Sequence, residues 1–183
     1  RYSLGLEAGL EAVLETAVAR LEGQSEEEMR VKVNRWFARD VVHRLRPGAA
    51  LALEWHRARG DRLVLATSSS PYVGAAACGA FGLHDLICTR FQVVAGIFTG
   101  AVSGMGLGPA KAERAREWAM EARVDLSTCV FYTDSHTDLA LMYEVGTPIA
   151  VNPDRRLRNK AIEQSWSIQN WGSPRRLKFV VGK

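Results

Sequence analysis

Over residues 1–46 the apolar positions recur at helical spacing. Leu6, Leu10, Val13, Leu14, Val18 and Leu21 fall on one face, and Gly23 follows as a stop. Ser25 with Glu28 three residues on is a capping-box pattern, so a second helix begins there. Its apolar stripe is Met29, Val33, Trp36, Phe37 and Val41. Pro47 ends this region and opens the next helix, which carries Leu51, Trp55 and Ala58 to a stop at Gly60.

From Arg62 the pattern changes, and short apolar runs alternate with helical stretches, which predicts βα units and a parallel sheet. Leu63 to Ala66 reads as a buried strand, followed by Thr67, Ser68, Ser69, Ser70 and Pro71 and then a helix from Tyr72 to Phe81 closed by Gly82. Leu86 to Cys88 is a further short run. Phe91 to Val94 and Ile97 to Val102, joined by Ala95 and Gly96, predict an antiparallel hairpin outside the parallel sheet. Pro109 opens a helix to Arg123, and Cys129 to Thr133 is a second buried strand ending at Asp134. A helix from Asp138 to Val145, a strand from Pro148 to Val151, a helix from Asp154 to Gln164 and an edge strand from Ser167 to Gln169 complete the reading.

Composition bounds this picture. With 183 residues, 47% of them hydrophobic, the chain has enough apolar material for one core with a small accessory subdomain. Net charge is +4, but the basic residues are scattered apart from Arg155, Arg156, Arg158 and Lys160 and the tail Arg175, Arg176, Lys178 and Lys183. No zinc-finger spacing or recognisable nucleic-acid module accompanies them, so a solvated surface is expected rather than nucleic-acid binding. No apolar run approaches the roughly 20 residues of a membrane span. Cys78, Cys88 and Cys129 are odd in number and lie among apolar neighbours, which fits reduced core thiols in the cytoplasm or another reducing compartment.

In open α/β sheets ligands bind beyond the carboxyl ends of the strands. Three polar features fall there. Thr67 and Ser68 follow the first strand and precede a helix, where hydroxyls and free N–H groups suit phosphate oxygens. Lys111 stands in the first turn of the Pro109 helix, where its ammonium suits the same anion. Asp134 and Asp138 lie four residues apart in a strand-to-helix turn, and carboxylate oxygens with retained water are what Mg²⁺ prefers. Each has a plainer reading: the hydroxyls as a helix cap, Lys111 as a surface lysine, Asp138 as an N-cap. Only Asp134, at the end of an otherwise apolar strand, lacks one. His136, between the two aspartates, is expected to face solvent.

Taken in order, Thr67, Lys111 and Asp134 with Asp138 resemble the second, third and fourth motifs of the haloacid dehalogenase superfamily. Leu63 to Gly82, the Phe91 to Gly100 hairpin, Phe131 to Ser135 and Val151 to Asp154 are similar to its phosphoserine-phosphatase-like hydrolases. The resemblance implies a Rossmann-like parallel sheet with a small helical cap: residues 1–46 as cap, 47–171 as core, 172–183 as a basic tail. It implies a Mg²⁺-dependent phosphatase acting on a small phosphorylated metabolite through an aspartyl-phosphate. Thr67 and Ser68 would hold the phosphoryl oxygens, Lys111 the nucleophile and phosphate, Asp134 the metal, and Asp138 the metal shell.

The family's first motif, Asp-x-Asp-x-Thr, is not among these residues. Aspartates stand at Asp40, Asp61, Asp85, Asp125, Asp134, Asp138 and Asp154, and no two are separated by a single residue. That motif's strand lies in the middle of the sheet, so its absence predicts unpaired backbone and an open core. Three explanations stand side by side. The chain is a fragment of an active enzyme; or the strand comes from a protein partner or the apolar tail Leu177 to Val181, leaving a non-catalytic interaction subunit; or the likeness is of fold alone.

Overall fold

The computed structural model describes residues 2–174. In chain order they form α1 (Tyr2–Ala19), α2 (Glu26–Trp36), α3 (Pro47–Ala58), β1 (Val64–Ala66), α4 (Pro71–Phe81), β2 (Asp85–Ile87), β3 (Arg90–Val94) and β4 (Ile97–Gly104). There follow α5 (Gly108–Ala122), β5 (Val130–Thr133), α6 (Leu139–Met142), β6 (Thr147–Val151), α7 (Arg155–Glu163) and β7 (Ser167–Gln169). This is the α/β alternation that the sequence pattern predicts. The tail segment Leu177 to Val181 lies outside the described residues. Among the described residues no helix is long and apolar enough to cross a membrane.

Local chemistry sets the element ends. Ser25 and Ser70 accept hydrogen bonds from the N–H groups of Glu28 and Val73, both at 3.3 Å, which caps α2 and α4. Gly82 ends α4 at φ +58°, a left-handed conformation that glycine adopts without penalty. Ala95 and Gly96 both take positive φ, which matches a tight turn to the twist of the β3–β4 hairpin.

Three expectations are corrected. The second helix does not run on evenly: after Trp36 it widens into a π-turn over Phe37–Val41 and tightens into a 3₁₀ turn over Val42–Arg44. Phe37 is therefore buried while Trp36 is exposed. In α3 the predicted stripe faces outward, with Leu51 65% and Trp55 54% exposed, and the inward face is Ala49, Ala52, Leu53 and His56. The predicted Asp138–Val145 helix shrinks to a 3₁₀ turn at His136–Asp138 and the single turn of α6. Of the three free cysteines, only Cys88 is fully buried.

The parallel strands form two separate half-sheets. In one, β1 pairs with β2, with Leu65 opposite Leu86; in the other, β5 pairs with β6 and β6 with β7, with Tyr132 opposite Ile149 and Ala150 opposite Ile168. Among the described residues β1 and β5 do not pair with each other. Helices α5 and α6 bridge the halves on one face: Ile87, Ala112, Ala115 and Leu141 form a buried cluster that touches Val64 and Ala66 of β1 and Phe131 of β5. Side chains alternate along a strand, so Tyr132 points the other way, where it meets His56 of α3.

Between the half-sheets lies an apolar groove of about 610 Å³, walled by Ala52 and His56 of α3, Leu65 and Tyr132 of the strands, and Ala115 and Leu141 opposite. The groove explains a burial pattern that the sequence does not predict. β1 is half-buried throughout and Val130 of β5 is 36% exposed, whereas Ile149, Ala150 and Val151 of β6 are at most 7% exposed. A strand in a parallel sheet is ordinarily paired on both edges and covered on both faces. The inner edges of β1 and β5 are open.

The hairpin stands away from the half-sheets and stitches onto residues 23–26. Gly23 N–H donates to Phe98 O at 2.9 Å, Phe98 N–H to Gln24 O at 3.0 Å, and Glu26 N–H to Gly96 O at 2.9 Å. Tyr72 of α4 joins this unit to the core: its ring meets that of Phe98 nearly at right angles at 5.7 Å, and its hydroxyl donates to Glu26 Oε1 at 3.1 Å.

Candidate active site

The loops after β1 and β5 and the start of α5 converge on one cavity of about 420 Å³. Thr67, Ser68, Lys111, Asp134, Ser135 and Asp138 contribute to its lining. The four positions singled out by the sequence, with Ser68, are thus brought together.

Backbone packing fixes the first loop. Thr67 N–H continues the ladder to Ile87 O at 2.8 Å, and Thr67 Oγ1 accepts the Ser69 N–H at 3.1 Å, which leaves the hydroxyl hydrogen free to donate. Thr89, fully buried, donates its hydroxyl to Ser68 O and accepts the Gly106 N–H, both at 3.1 Å. A Cβ on Gly106 would lie 2.6 Å from Thr89 N, 2.7 Å from Cys88 C and 3.0 Å from Thr67 O. Only glycine lets the connection from β4 to α5 press against this loop, and Lys111, in the first turn of α5, lines the same cavity as Thr67.

Lys111 is 4% exposed, and its Nζ donates to Asp138 Oδ1 at 2.5 Å. Thr133 Oγ1 donates to Asp138 Oδ2 at 2.6 Å and accepts the Ser135 N–H at 3.2 Å. Both oxygens of the buried Asp138 are therefore engaged. Asp134 is exposed, and among the described residues its carboxylate has no hydrogen-bond or ionic partner. Two carboxylates four residues apart are thus differentiated: one neutralises and orients the lysine, and the other is open to a ligand.

Asp154 anchors the loop between them. Its N–H donates to Asp134 O at 2.9 Å; its Oδ1 accepts the Leu157 N–H at 2.8 Å, capping α7, and its Oδ2 accepts the His136 N–H at 2.8 Å and lies 3.0 Å from His136 Nδ1. Arg156 Nη1 reaches His136 Nε2 at 3.3 Å, which fits the tautomer with the proton on Nδ1. The expectation that His136 faces solvent is corrected: its side chain is 23% exposed and tied at both ring nitrogens. Burial alone would raise the Asp154 carboxyl, but the Leu157 and His136 hydrogen bonds outweigh it and hold the group below the usual range.

A second chain of polar groups borders the groove. His56, buried, sits 2.8 Å from Asp61 Oδ2 through Nδ1 and 2.9 Å from Tyr132 Oη through Nε2. The hydrogen bond from His56 holds the Asp61 carboxyl below its ordinary value. Tyr132 lines both groove and cavity, and ties the strand that carries Asp134 to α3.

Sequence reasoning missed Thr89, Thr133, Asp154 and the His56–Asp61–Tyr132 chain. The signal for the threonines was a hydroxyl closing an apolar run. For Asp154 it was the turn-and-cap pattern after Pro153.

A family model described as haloacid dehalogenase-like hydrolase matches residues 1–143. The chain belongs to this family. The ordered motifs from Thr67 to Asp138 identify it correctly, and the α/β fold is the family's. Similar proteins include the "Inhibition of morphological differentiation protein" of Streptomyces azureus, 40% identical over 131 residues, covering 71% of this chain and 47% of that protein. Phosphoserine phosphatase SerB1 of Mycobacterium tuberculosis is 31% identical over 156 residues, covering 85% of this chain and 51% of that one. The chain thus spans about half the length of these curated relatives. A protein of unknown function from Bordetella pertussis Tohama I matches in structure with a TM-score of 0.80 at 26% identity, covering 86% of this chain and 73% of that one.

Proposed function

We propose that these residues form the phosphate- and metal-binding part of a Mg²⁺-dependent phosphomonoester phosphatase. The observation that carries the reading is the meeting of Thr67, Lys111, Asp134 and Asp138 around one cavity at the carboxyl ends of parallel strands. The Thr67 hydroxyl and the N–H groups of the 67–70 loop bind phosphoryl oxygens. Lys111, held by Asp138, places a buried positive charge against the anion, where low dielectric strengthens it.

Mg²⁺ fits the free carboxylate of Asp134, an oxygen donor open to the cavity. Asp138, with both oxygens taken, supports the site through Lys111 and Thr133. Among the described residues no three metal-ligating side chains cluster, so further oxygens must come from water, phosphate and the incoming nucleophile. When bound, the ion supplies charge neutralisation at the phosphoryl oxygens.

The attacking carboxylate is not among the residues lining the cavity. Asp138 is locked between Lys111 and Thr133, and Asp134 is committed to metal. In the proposed reaction an aspartate oxygen bonds to phosphorus as the phosphorus–alcohol oxygen bond breaks and the leaving oxygen takes a proton from a second carboxyl group. Water then cleaves the acyl phosphate, releasing inorganic phosphate and restoring the aspartate. The similarity to a phosphoserine phosphatase supports a small metabolite, an amino-acid or amino-alcohol phosphate, as substrate class.

A second reading, a non-catalytic assembly module, is favoured by the open groove between the half-sheets. The two are separated by assaying phosphate release from a panel of monoesters with protein that contains an Asp-x-Asp strand. Mg²⁺-dependent release supports the phosphatase. Silence across the panel from folded, metal-binding protein rejects it in favour of the module.

A further inference from the structure

At the foot of the β3–β4 hairpin two arginines share one face. Arg90, the first residue of β3, stands opposite Gly104, the last residue of β4. Directly opposed residues of an antiparallel pair point their side chains the same way, so a side chain on Gly104 would lie beside that of Arg90. The guanidinium of Arg114, from α5, takes that place instead: a Cβ on Gly104 would lie 2.6 Å from Arg114 Nη1 and 3.8 Å from Arg90 Cβ. A third group reports the same convergence. Burial pushes the Cys88 thiol up, and Arg114 and Arg90 both pull it back, so the two cations act on one spot.

Among the described residues neither arginine has a carboxylate partner, and Arg114 Nε is buried without a hydrogen-bond acceptor. Two like charges side by side repel, and a buried donor without an acceptor carries the cost of its lost hydration. Arg62 and Arg116 are in a different position, being paired with Asp85 and Glu144. One kind of ligand removes both defects: an oxyanion that accepts the Arg114 Nε–H and lies against both guanidiniums. Two unmatched positive charges favour a dianion, and the planar fork of guanidinium donors suits phosphate oxygens. Neither arginine lines the cavity of Thr67 and Lys111, so this is a separate place. It is joined to the cavity through Thr89, which lies between Cys88 and Arg90 in the chain and donates to Ser68 O.

We propose that Arg90 and Arg114 form a second anion site, at the junction of the hairpin with α5, which takes a phosphate dianion, free or as the terminal group of a phosphomonoester. Gly104 is the residue that makes room for it. The site is built from other residues than the phosphatase reading uses and does not depend on that reading. A bound anion ties β3 to α5 and so fastens the hairpin to the core.

The test follows the Arg114 Nε–H resonance in nuclear magnetic resonance spectra of the isotope-labelled chain, assigned by its loss in Arg114→Gln. Sodium phosphate is titrated in at constant ionic strength without Mg²⁺. The expected result is a saturable downfield shift. In Arg90→Gln the affinity falls about tenfold or more, because a charge-assisted contact is lost. Arg90 is exposed, so this replacement leaves the fold intact, as circular dichroism and thermal unfolding will show. Gly104→Ala displaces the Arg114 guanidinium without changing the charge and weakens binding by about the same factor. Thr67→Ala leaves the shift unchanged. Acetate, a monoanion, binds about tenfold more weakly or less than that. A parallel titration with phenyl phosphate identifies the source: a shift with inorganic phosphate alone assigns the site to the free anion, and a shift with the ester assigns it to the end of a phosphomonoester. No shift with either, an equal response to acetate, or undiminished affinity in Arg90→Gln overturns the proposal. A response lost in Thr67→Ala and kept in Arg90→Gln also overturns it, because the anion then sits in the cavity.

Discussion

Asp134 and Asp138 show how position in the fold, rather than residue type, assigns chemistry. Asp134→Asn removes an exposed carboxylate without a partner among the described residues, so it should abolish Mg²⁺ binding in calorimetry while changing the unfolding free energy by no more than about 0.5 kcal/mol. Asp138→Asn leaves the Lys111 ammonium buried without its counter-charge, which should cost about 3 kcal/mol in urea unfolding. Equal effects of the two substitutions would contradict the division of labour. The four motif residues were legible because each directly follows a strand or opens a helix, where polar groups need a reason to be. Their division of labour was not, because it depends on Lys111 reaching across from α5 to a turn 27 residues away.

At the scale of elements, the loops that carry these residues are held by close backbone approaches and caps. Gly106→Ala puts a methyl group against the Cys88–Thr89 peptide and the Thr67 carbonyl oxygen and should cost about 2 kcal/mol or more, measured by urea unfolding, while loosening phosphate-analogue binding. Asp154 links α7 to the Asp134–Asp138 loop, and its folded pKa lies below the ordinary value of 3.8. For a carboxyl group depressed on folding, stability is complete above the unfolded pKa and is lost as pH falls through the folded one. Acid unfolding below about pH 4 should therefore be less steep in Asp154→Asn than in the parent chain, as read from urea midpoints between pH 6 and 2. Caps and turns such as Ser25, Ser70, Gly82 and Ala95–Gly96 were legible because they act within a few residues. The inward face of α3 was not, since Leu51 and Trp55 outrank Ala49 and Ala52 in hydrophobicity yet face away from the core. Thr89 and Thr133 escaped for a related reason: their partners are brought near only by the folded chain.

At the scale of the described residues as a whole, the unpaired, open sheet centre that the family resemblance led one to expect is the groove between the half-sheets, bordered by the half-buried β1 and β5. What the pattern did not provide was how the halves stay together, which follows from α5 and α6 spanning them through Ala112, Ala115 and Leu141. Filling the groove should raise the thermal midpoint, by an amount that grows with the logarithm of ligand concentration above Kd, because a ligand that binds only the folded state stabilises it. The central claim, a metal- and phosphate-binding site that becomes a phosphatase when a carboxylate-bearing strand is supplied, is tested most directly by phosphate release from monoesters. The account predicts none from the 183 residues alone, Mg²⁺-dependent release once the strand is present, and loss of that release when its first aspartate becomes asparagine. Mg²⁺-dependent turnover by the 183 residues alone, or none from a folded and filled protein, would contradict it.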